Sequence, residues 1–201
     1  MDKRSSSEDT QNETSTRLIV GISGASGSIL GIRLLEVLAA RPEVETHLII
    51  SATARIIIAW ETDYPVDQVE ALADHVHAPD DLTAPIASGS FAPGRDMIVI
   101  PCSIKALSAV ANSYAADLMS RAADVTLKEG GRLVLAVRES PLHLGHLRLM
   151  TRAAEMGVII LPPIPAFYGR PKTLPDIVDA IVGRALARLG IANDLYSRWR
   201  G

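Results

Sequence analysis

Five short apolar runs, separated by helical patterns, limit what this chain can fold into. They cover residues 17–23, 45–51, 96–102, 132–138 and 157–163. Each run is too short for a helix, rich in Val, Ile and Leu, and continuous rather than alternating, as in strands buried on both faces. Helical patterns lie at 27–41, 51–60, 66–74, 103–113, 115–128, 143–156 and 173–189. This alternation predicts an α/β fold with a doubly wound parallel sheet and helices on both faces.

Size and charge exclude several classes of protein. The chain has 201 residues, of which 48% are hydrophobic, enough for one α/β domain. A net charge of −3 gives no general attraction to nucleic acid or to anionic membranes. No apolar run approaches the ~18 residues of a membrane span. The single cysteine excludes an intramolecular disulfide framework and a cysteine-rich metal site.

The first residues differ in composition from the rest. Residues 1–16 are polar and carry no apolar signal core or arginine-rich transit pattern. We expect a disordered tail over 1–16, a single domain over 17–201 and a cytoplasmic location. Within the domain, the Pro-, Ala-, Ser- and Gly-rich stretch 77–95 is the main loop-like insertion, and a loop of that length is more often functional than idle.

Polar and small residues follow the predicted strands where each strand ends. In doubly wound sheets, ligands bind outside the carboxyl ends of the strands. The residues at those ends are Gly24 to Gly27, Ser51, Ser103 with Lys105, Arg138 with Glu139, and Tyr168 in a Pro-rich segment. The sequence therefore predicts a polar crevice along one edge of the sheet.

The first of these ends is a glycine-rich turn with the spacing Gly-x-x-Gly-x-x-Gly over residues 21–27. Gly24 and Gly27 would let the backbone approach an anion at the start of the following helix. A tight turn without a ligand is the open alternative. The spacing misses the dinucleotide fingerprint, and Ser51 stands where a nicotinamide site has an acidic residue. A hydroxyl there suits a flavin or a phosphate better.

The stretch 121–139 is rich in charge. Arg121 and Lys128 lie seven residues apart on one helix face, and Arg138 and Glu139 follow a buried strand. These groups suit a phosphate-bearing substrate and an acid or base. For Lys128 alone, a solvated helix edge is the open alternative. Tyr168 and Arg184 could add further contacts to the same anion.

Several long motifs carry a family resemblance. The segments GISGASG, SGSF, PCSIKALSAVANSY, RAADVTLKE, VRESPLHLGHLRLM and PPIPAFYGRP occur in order across 17–201. They resemble the flavin prenyltransferases of the UbiX/Pad type. The resemblance implies a single Rossmann or flavodoxin-like domain that assembles as a dodecamer. It also implies transfer of a dimethylallyl group from dimethylallyl monophosphate to reduced FMN, without a metal. The product, prenylated FMN, would serve a UbiD-type decarboxylase.

The resemblance also implies residue roles. FMN would contact Gly24, Ala25, Ser26, Ser51, Ser103, Ile104, Lys105, Ala106 and Arg138. The donor would contact Ser88, Gly89, Ser90, Arg121, Lys128, Tyr168 and Arg184, with Tyr168 and Arg184 supplied by a neighbouring subunit if the site lies at an interface. The catalytic group would comprise Glu139 as acid/base, Lys128, Ser26 beside the flavin, and Glu61 near the donor.

Two other functions are weighed against the transferase. An FMN-binding accessory subunit of a decarboxylase would have no need of the second phosphate site. Relatives with this fold that decarboxylate peptidyl cysteines use a histidine after the first helix region, and residues 55–60 contain none. His143 and His146 lie one helical turn apart without a nearby third ligand, so no metal site is predicted.

Overall fold

The computed structural model describes residues 16–91 and 95–199. Except for Thr16, the predicted tail lies outside this range. The strands are β1 (Thr16–Ile22), β2 (Val44–Ile50), β3 (His75–His77), β4 (Asp96–Cys102), β5 (Leu133–Val137) and β6 (Ile159–Ile160). The helices are α1 (Ser28–Ala39), α2 (Ala52–Glu61), α3 (Val66–Glu70), α4 (Ile104–Ala111), α5 (Leu118–Lys128), α6 (Leu144–Glu155) and α7 (Leu174–Arg188). Short 3-10 turns occur at Pro85–Ala87 and Phe167–Gly169.

The strands form one parallel sheet in the order β3-β2-β1-β4-β5-β6, as the doubly wound prediction requires. Without the three-residue edge strand β3, this is the flavodoxin order 2-1-3-4-5. The pattern predicts five strands and misses β3: the predicted helix ends at residue 74, residues 75–76 are unassigned, and the loop-like stretch begins at His77. The sequence of β3, His-Val-His, has no apolar run to mark it.

Both faces of the sheet are covered, which explains the continuous apolar runs. On β1, Leu18, Val20 and Ile22 pack into a core with α1 and α7, whereas Ile19 faces a second core with α4 and α5. The run at 157–163 is shorter than predicted, since only Ile159 and Ile160 pair with β5. The two prolines that follow have no backbone N–H to donate.

The chain reverses direction across the sheet between β1 and β4. It leaves β1 toward β2 and β3, then crosses to β4 on the other side of β1. Helices α1, α2 and α4 each begin just after a strand ends, so their N-terminal ends meet near this switch point. Ser51 and Ser103 cap α2 and α4 by accepting hydrogen bonds from Ala54 N and Ala106 N. In the described part of the chain, no helix has the length and apolar character needed to cross a membrane.

Gly31 allows α1 to lie close against the sheet. A Cβ at this position would lie 2.5 Å from the carbonyl oxygen of Ile100 and 2.9 Å from the side chain of Ile22. The neighbouring atom is backbone and cannot move aside easily. We expect Gly31→Ala to lower the free energy of unfolding by about 1–3 kcal/mol, despite the better helix propensity of alanine.

Gly169→Ala is the matched control, because its Cβ would make an ordinary 3.8 Å contact with Ser197. Denaturant unfolding of both variants checks the expectation. Equal stability of the two variants would contradict this account of the α1 packing.

Candidate active site

A cavity of about 990 Å³ opens at the carboxyl ends of β1, β2 and β4. Its volume is at the upper end of small-molecule sites. Every residue predicted to contact FMN lines this cavity: Gly24, Ala25, Ser26, Ser51, Ser103, Ile104, Lys105, Ala106 and Arg138. The structure thus brings together groups that are up to 114 positions apart in the sequence.

The buried hydroxyl of Ser23 joins the glycine turn to the start of α4. Ser23 Oγ donates to the carbonyl of Pro101 at 2.9 Å and accepts from the N–H of Ser103 at 2.7 Å. These bonds hold the ends of β1 and β4 in a fixed relation. They place Ala25 and Ser26 opposite the first turn of α4.

Two positions of the turn require glycine, for different structural reasons. A Cβ at Gly24 would lie 2.7 Å from the side chain of Thr53, so this glycine allows α2 to approach the turn. Gly27 has a φ of 102°, a left-handed conformation that glycine adopts without strain.

Glu61 binds the N-terminal end of α1, where the glycine turn was predicted to hold a phosphate. Its carboxylate accepts hydrogen bonds from Gly27 N at 2.8 Å and Ser28 N at 3.2 Å. The positive end of the α1 dipole therefore faces a carboxylate of the same chain. Partial burial opposes ionisation, but these bonds and one from the Ser26 hydroxyl lower the pKa of Glu61 below its ordinary value. The N-terminal end of α1 therefore already has an anionic partner, Glu61 of the same chain.

The N-terminal turns of α2 and α4 remain directed at the cavity. Ala52 and Thr53 line it from α2, and Ile104 and Lys105 line it from α4. Two helix N-terminal ends and an exposed Lys105 create a positive region on this wall. These groups are suited to hold the phosphate of a flavin mononucleotide.

Arg138 and Glu139 lie on the opposite wall, directly after β5. Both are exposed, and Glu139 accepts a hydrogen bond from Ser140 N at 2.9 Å. Among the described residues, Arg138 makes no ion pair with a carboxylate. A cation and a carboxylate thus face the cavity together, available to a substrate.

The predicted donor site is not assembled within one chain. Lys128 ends α5 and pairs with Glu129, beside the turn that leads into the amino end of β5. A Cβ at Gly89 would lie 2.7 Å from Lys128 Nζ, which places the Ser88–Ser90 loop next to this lysine. Arg121 donates to the carbonyl of Ala87 at 3.0 Å and pairs with Asp124. These groups form a basic patch outside the cavity.

Tyr168 and Arg184 lie in a third place, a cavity of about 330 Å³ between the Phe167–Gly169 turn and α7. Arg184 stacks over the ring of Tyr196, and Tyr168 makes an edge contact with Trp199. Within one chain, the four predicted phosphate ligands Arg121, Lys128, Tyr168 and Arg184 therefore do not meet. The expectation that they converge holds only if other subunits contribute.

The sequence patterns missed one wall of the cavity. The connection between α4 and α5 contributes Asn112, Tyr114, Ala116 and Asp117, and Met119 follows on α5. Tyr114 is exposed and Asp117 caps α5 through Ser120 N. The exposed tyrosine in this short connection was the available signal. None of the five histidines lines the cavity, and His143 instead caps α6.

Comparison with known proteins first defines the class. A family model described as Flavoprotein matches residues 6–186, in agreement with the fold and with the cavity at the strand ends. The chain thus belongs to the flavoprotein family, and its fold is a parallel α/β sheet.

Closer relatives define the particular family. The chain is 54% identical over 187 residues to the flavin prenyltransferase UbiX of Escherichia coli K12, covering 92% of this chain and 98% of that one. It is 56% identical over 185 residues to the UbiX of Thauera aromatica, covering 92% and 94%. The chain belongs to the flavin prenyltransferase family, as its motifs had indicated.

Solved structures agree with this assignment. A dodecameric FMN-dependent UbiX-like decarboxylase from Escherichia coli O157:H7 superposes with a TM-score of 0.89 at 49% identity, over 92% of this chain and all of that one. A structure of AnUbiX (PadA1) with FMN and dimethylallyl pyrophosphate superposes with a TM-score of 0.88 at 46% identity, over 92% and 98%. The peptidyl-cysteine decarboxylase EpiD, at 13% identity and a TM-score of 0.60, shares the fold alone.

We expect Glu61→Gln to lower the free energy of unfolding by about 0.5–1 kcal/mol at neutral pH, because it removes a carboxylate from the end of the α1 dipole. The folded-state pKa of Glu61 is lowered, so its contribution is present above the ordinary carboxyl pKa. It is lost as the pH falls through the folded-state pKa. The stabilities of the native chain and the variant should therefore converge in acid.

Denaturant unfolding at several pH values measures this difference. Glu155→Gln, at the exposed end of α6, is the control and should change stability by less than about 0.5 kcal/mol. A stability difference for Glu61→Gln that persists undiminished at acidic pH would contradict the assigned role.

Proposed function

We propose that this chain is a flavin prenyltransferase that joins a dimethylallyl group from dimethylallyl monophosphate to reduced FMN. The observation that carries the proposal is the polar cavity at the strand ends, lined by two helix N-terminal ends and faced by Arg138 and Glu139. Membership of the flavin prenyltransferase family supports it. So does the related structure that holds FMN and dimethylallyl pyrophosphate together.

The cavity fits a flavin mononucleotide. The first turns of α2 and α4 offer N–H groups and positive dipole ends to its phosphate, and Lys105 adds a charge beside them. Apolar groups from Ile57, Val99 and Met119 line the same cavity and suit the flat ring. Bound reduced FMN supplies the electron-rich ring that accepts the dimethylallyl carbon.

The chain's own residues then act on the donor. Cationic side chains hold the donor phosphate and stabilise its developing charge as the carbon–oxygen bond breaks, which is electrostatic catalysis by fixed groups. Glu139 is positioned at the cavity wall to donate a proton to the leaving phosphate or to remove one from the product. The apolar lining excludes water from the allylic carbon.

We propose that several subunits complete the donor site. Arg121 and Lys128 lie in the basic patch, and Tyr168 and Arg184 lie by α7, so one chain cannot place all four on one phosphate. A dodecameric relative at 49% identity supports a similar assembly here. In that assembly, the basic patch of one chain and the α7 region of a second chain would lie together beside a flavin cavity. The cavity would belong to a third chain or to one of these two.

The accessory-subunit alternative predicts FMN binding alone. It gives no role to the two further clusters of basic and aromatic groups, which a bare flavin carrier does not need. The product of the transfer would serve a UbiD-type decarboxylase, as the family name implies. A cytoplasmic location stays a prediction from the composition of the first residues.

The direct test incubates the purified oligomer with reduced FMN and either dimethylallyl monophosphate or the diphosphate, without oxygen. Mass spectrometry of the released flavin should show the mass of one added dimethylallyl group. A flavin of unchanged mass with both donors, while FMN remains bound, would favour the accessory-subunit function instead.

We expect Lys128→Ala and Glu139→Gln to slow transfer by about 10²-fold or more, because each removes a group that acts on the departing phosphate. FMN binding, followed by flavin fluorescence, should change little. Lys172→Ala and Glu155→Gln are matched controls on exposed positions outside the proposed site. Loss of FMN binding in Lys128→Ala or in Glu139→Gln would show that the role assigned to that residue is wrong.

A further inference from the structure

Four potential metal ligands lie together at the edge of the sheet, outside the site described above. Glu45 and His47 lie on one face of β2, and His75 and His77 lie on the same face of β3. His47 pairs with His75 in the parallel register. We call Glu45, His47, His75 and His77 the edge cluster. The four residues are not adjacent in the sequence, and the edge cluster forms only when β2 and β3 pair. The sequence pattern therefore did not reveal the cluster.

Three of these residues already have ligand atoms close together. The carboxylate of Glu45 and one ring nitrogen each of His47 and His75 lie within 4.8 Å of one another. Glu45 Oε1 is 3.1 Å from His75 Nε2 and 3.5 Å from His47 Nε2. The other carboxylate oxygen, Oε2, accepts from Arg17 Nε at 2.7 Å. Arg17 thus orients the carboxylate so that its free oxygen faces the two histidines.

His47 is arranged as metal-binding histidines usually are. Its Nδ1 lies 3.0 Å from Nε2 of His77, so one ring nitrogen is engaged by a hydrogen bond. When Nδ1 donates this bond, Nε2 carries the lone pair that a metal needs. A fixed tautomer set by a second residue is the common support of a metal-ligating imidazole.

The other ring nitrogen of His47 has no hydrogen-bond partner among residues 16–91 and 95–199. His47 is 3% exposed, and the unpaired atom is its buried Nε2. At 3.5 Å, the separation from Glu45 Oε1 exceeds that of an ordinary hydrogen bond. A buried unpaired nitrogen is costly, and a lone pair directed at a carboxylate is repelled unless a positive charge lies between them.

We propose that the edge cluster binds a divalent transition-metal ion, with Zn²⁺ as the natural occupant, through Glu45, His47 and His75. Imidazole and carboxylate are ligands that Zn²⁺ accepts, and a water would complete a four-coordinate site. His77 would not bind the metal itself; its hydrogen bond to His47 Nδ1 would fix the orientation of the His47 ring. The side chain of His75 is 50% exposed on the edge strand, so it can turn to reach bonding distance and leave a path for the ion.

The site has a structural role, distinct from prenyl transfer. Glu45 and Arg17 pair across the amino ends of β2 and β1, whereas the cavity opens at the carboxyl ends. The metal would link β2 to the three-residue edge strand β3, in addition to the hydrogen bonds between Thr46 and Asp74. Because the ion binds the folded chain, its binding should raise stability with the logarithm of the free Zn²⁺ concentration once that concentration exceeds the Kd.

The test uses the metal-free oligomer, prepared with a chelator, and a chromophoric competitor for Zn²⁺. We expect one Zn²⁺ per chain and a higher melting temperature when Zn²⁺ is added. His75→Gln, at a half-exposed position, should weaken Zn²⁺ binding by about tenfold or more, since even the loss of a supporting residue has that effect. Co²⁺ in place of Zn²⁺ should give the visible absorption of a four-coordinate site.

His146→Gln is the matched control. The rings of His143 and His146 lie 3.6 Å apart between α4 and α6, and they are the other histidine pair of the chain. This variant should bind Zn²⁺ as the native chain does. The proposal is overturned if the native chain takes up no Zn²⁺, if His75→Gln binds Zn²⁺ as tightly as the native chain, or if only His146→Gln removes binding. The metal-free oligomer should retain transferase activity, so the outcome is independent of the proposed function.

Discussion

The parallel pairing of β1 with β4 is the constraint on which the rest of the structure depends. These strands are adjacent in the sheet but separated by 73 residues between the end of one and the start of the other, and the chain reverses direction between them. Their carboxyl ends are joined by the buried hydroxyl of Ser23, which bonds to both Pro101 and Ser103. This link brings the glycine turn and the start of α4 to the same opening, and the cavity forms between them.

The N-terminal ends of the three helices at the switch point differ in the groups that they face. The end of α1 is closed by the carboxylate of Glu61, and the ends of α2 and α4 face the cavity. A single acidic residue therefore decides which helix dipoles a bound anion meets. The cations predicted to hold the donor phosphate lie elsewhere, in the basic patch and in the α7 region.

Much of this arrangement could be predicted from the sequence, because the relevant signals are local. Continuous apolar runs identified β1, β2, β4, β5 and β6, and the residues at the carboxyl ends of the predicted strands identified the cavity. Family motifs indicated nine residues for the flavin, and all nine line the cavity. The strand His75–His77 was missed because its sequence, His-Val-His, contains only one apolar residue and gives no apolar run.

Other features depend on contacts between distant residues. The hydrogen bonds of Glu61 to Gly27 and Ser28 span 34 and 33 positions, and no spacing rule connects them. The edge cluster similarly depends on the register between β2 and β3. The wide separation of Lys128 from Arg184 follows from the positions of α5 and α7, and charge patterning along the chain does not contain it.

Subunit mixing tests the central claim, that a flavin cavity on one chain works with donor groups from others. Oligomers reassembled from equal amounts of Lys128→Ala and Arg184→Ala chains, each inactive alone, should recover prenyl transfer. At random assembly about a quarter of the sites would draw both native groups, because each site takes them from different subunits. Flavin mass spectrometry measures the recovery. Mixed oligomers that remain as inactive as the separate variants would contradict the account.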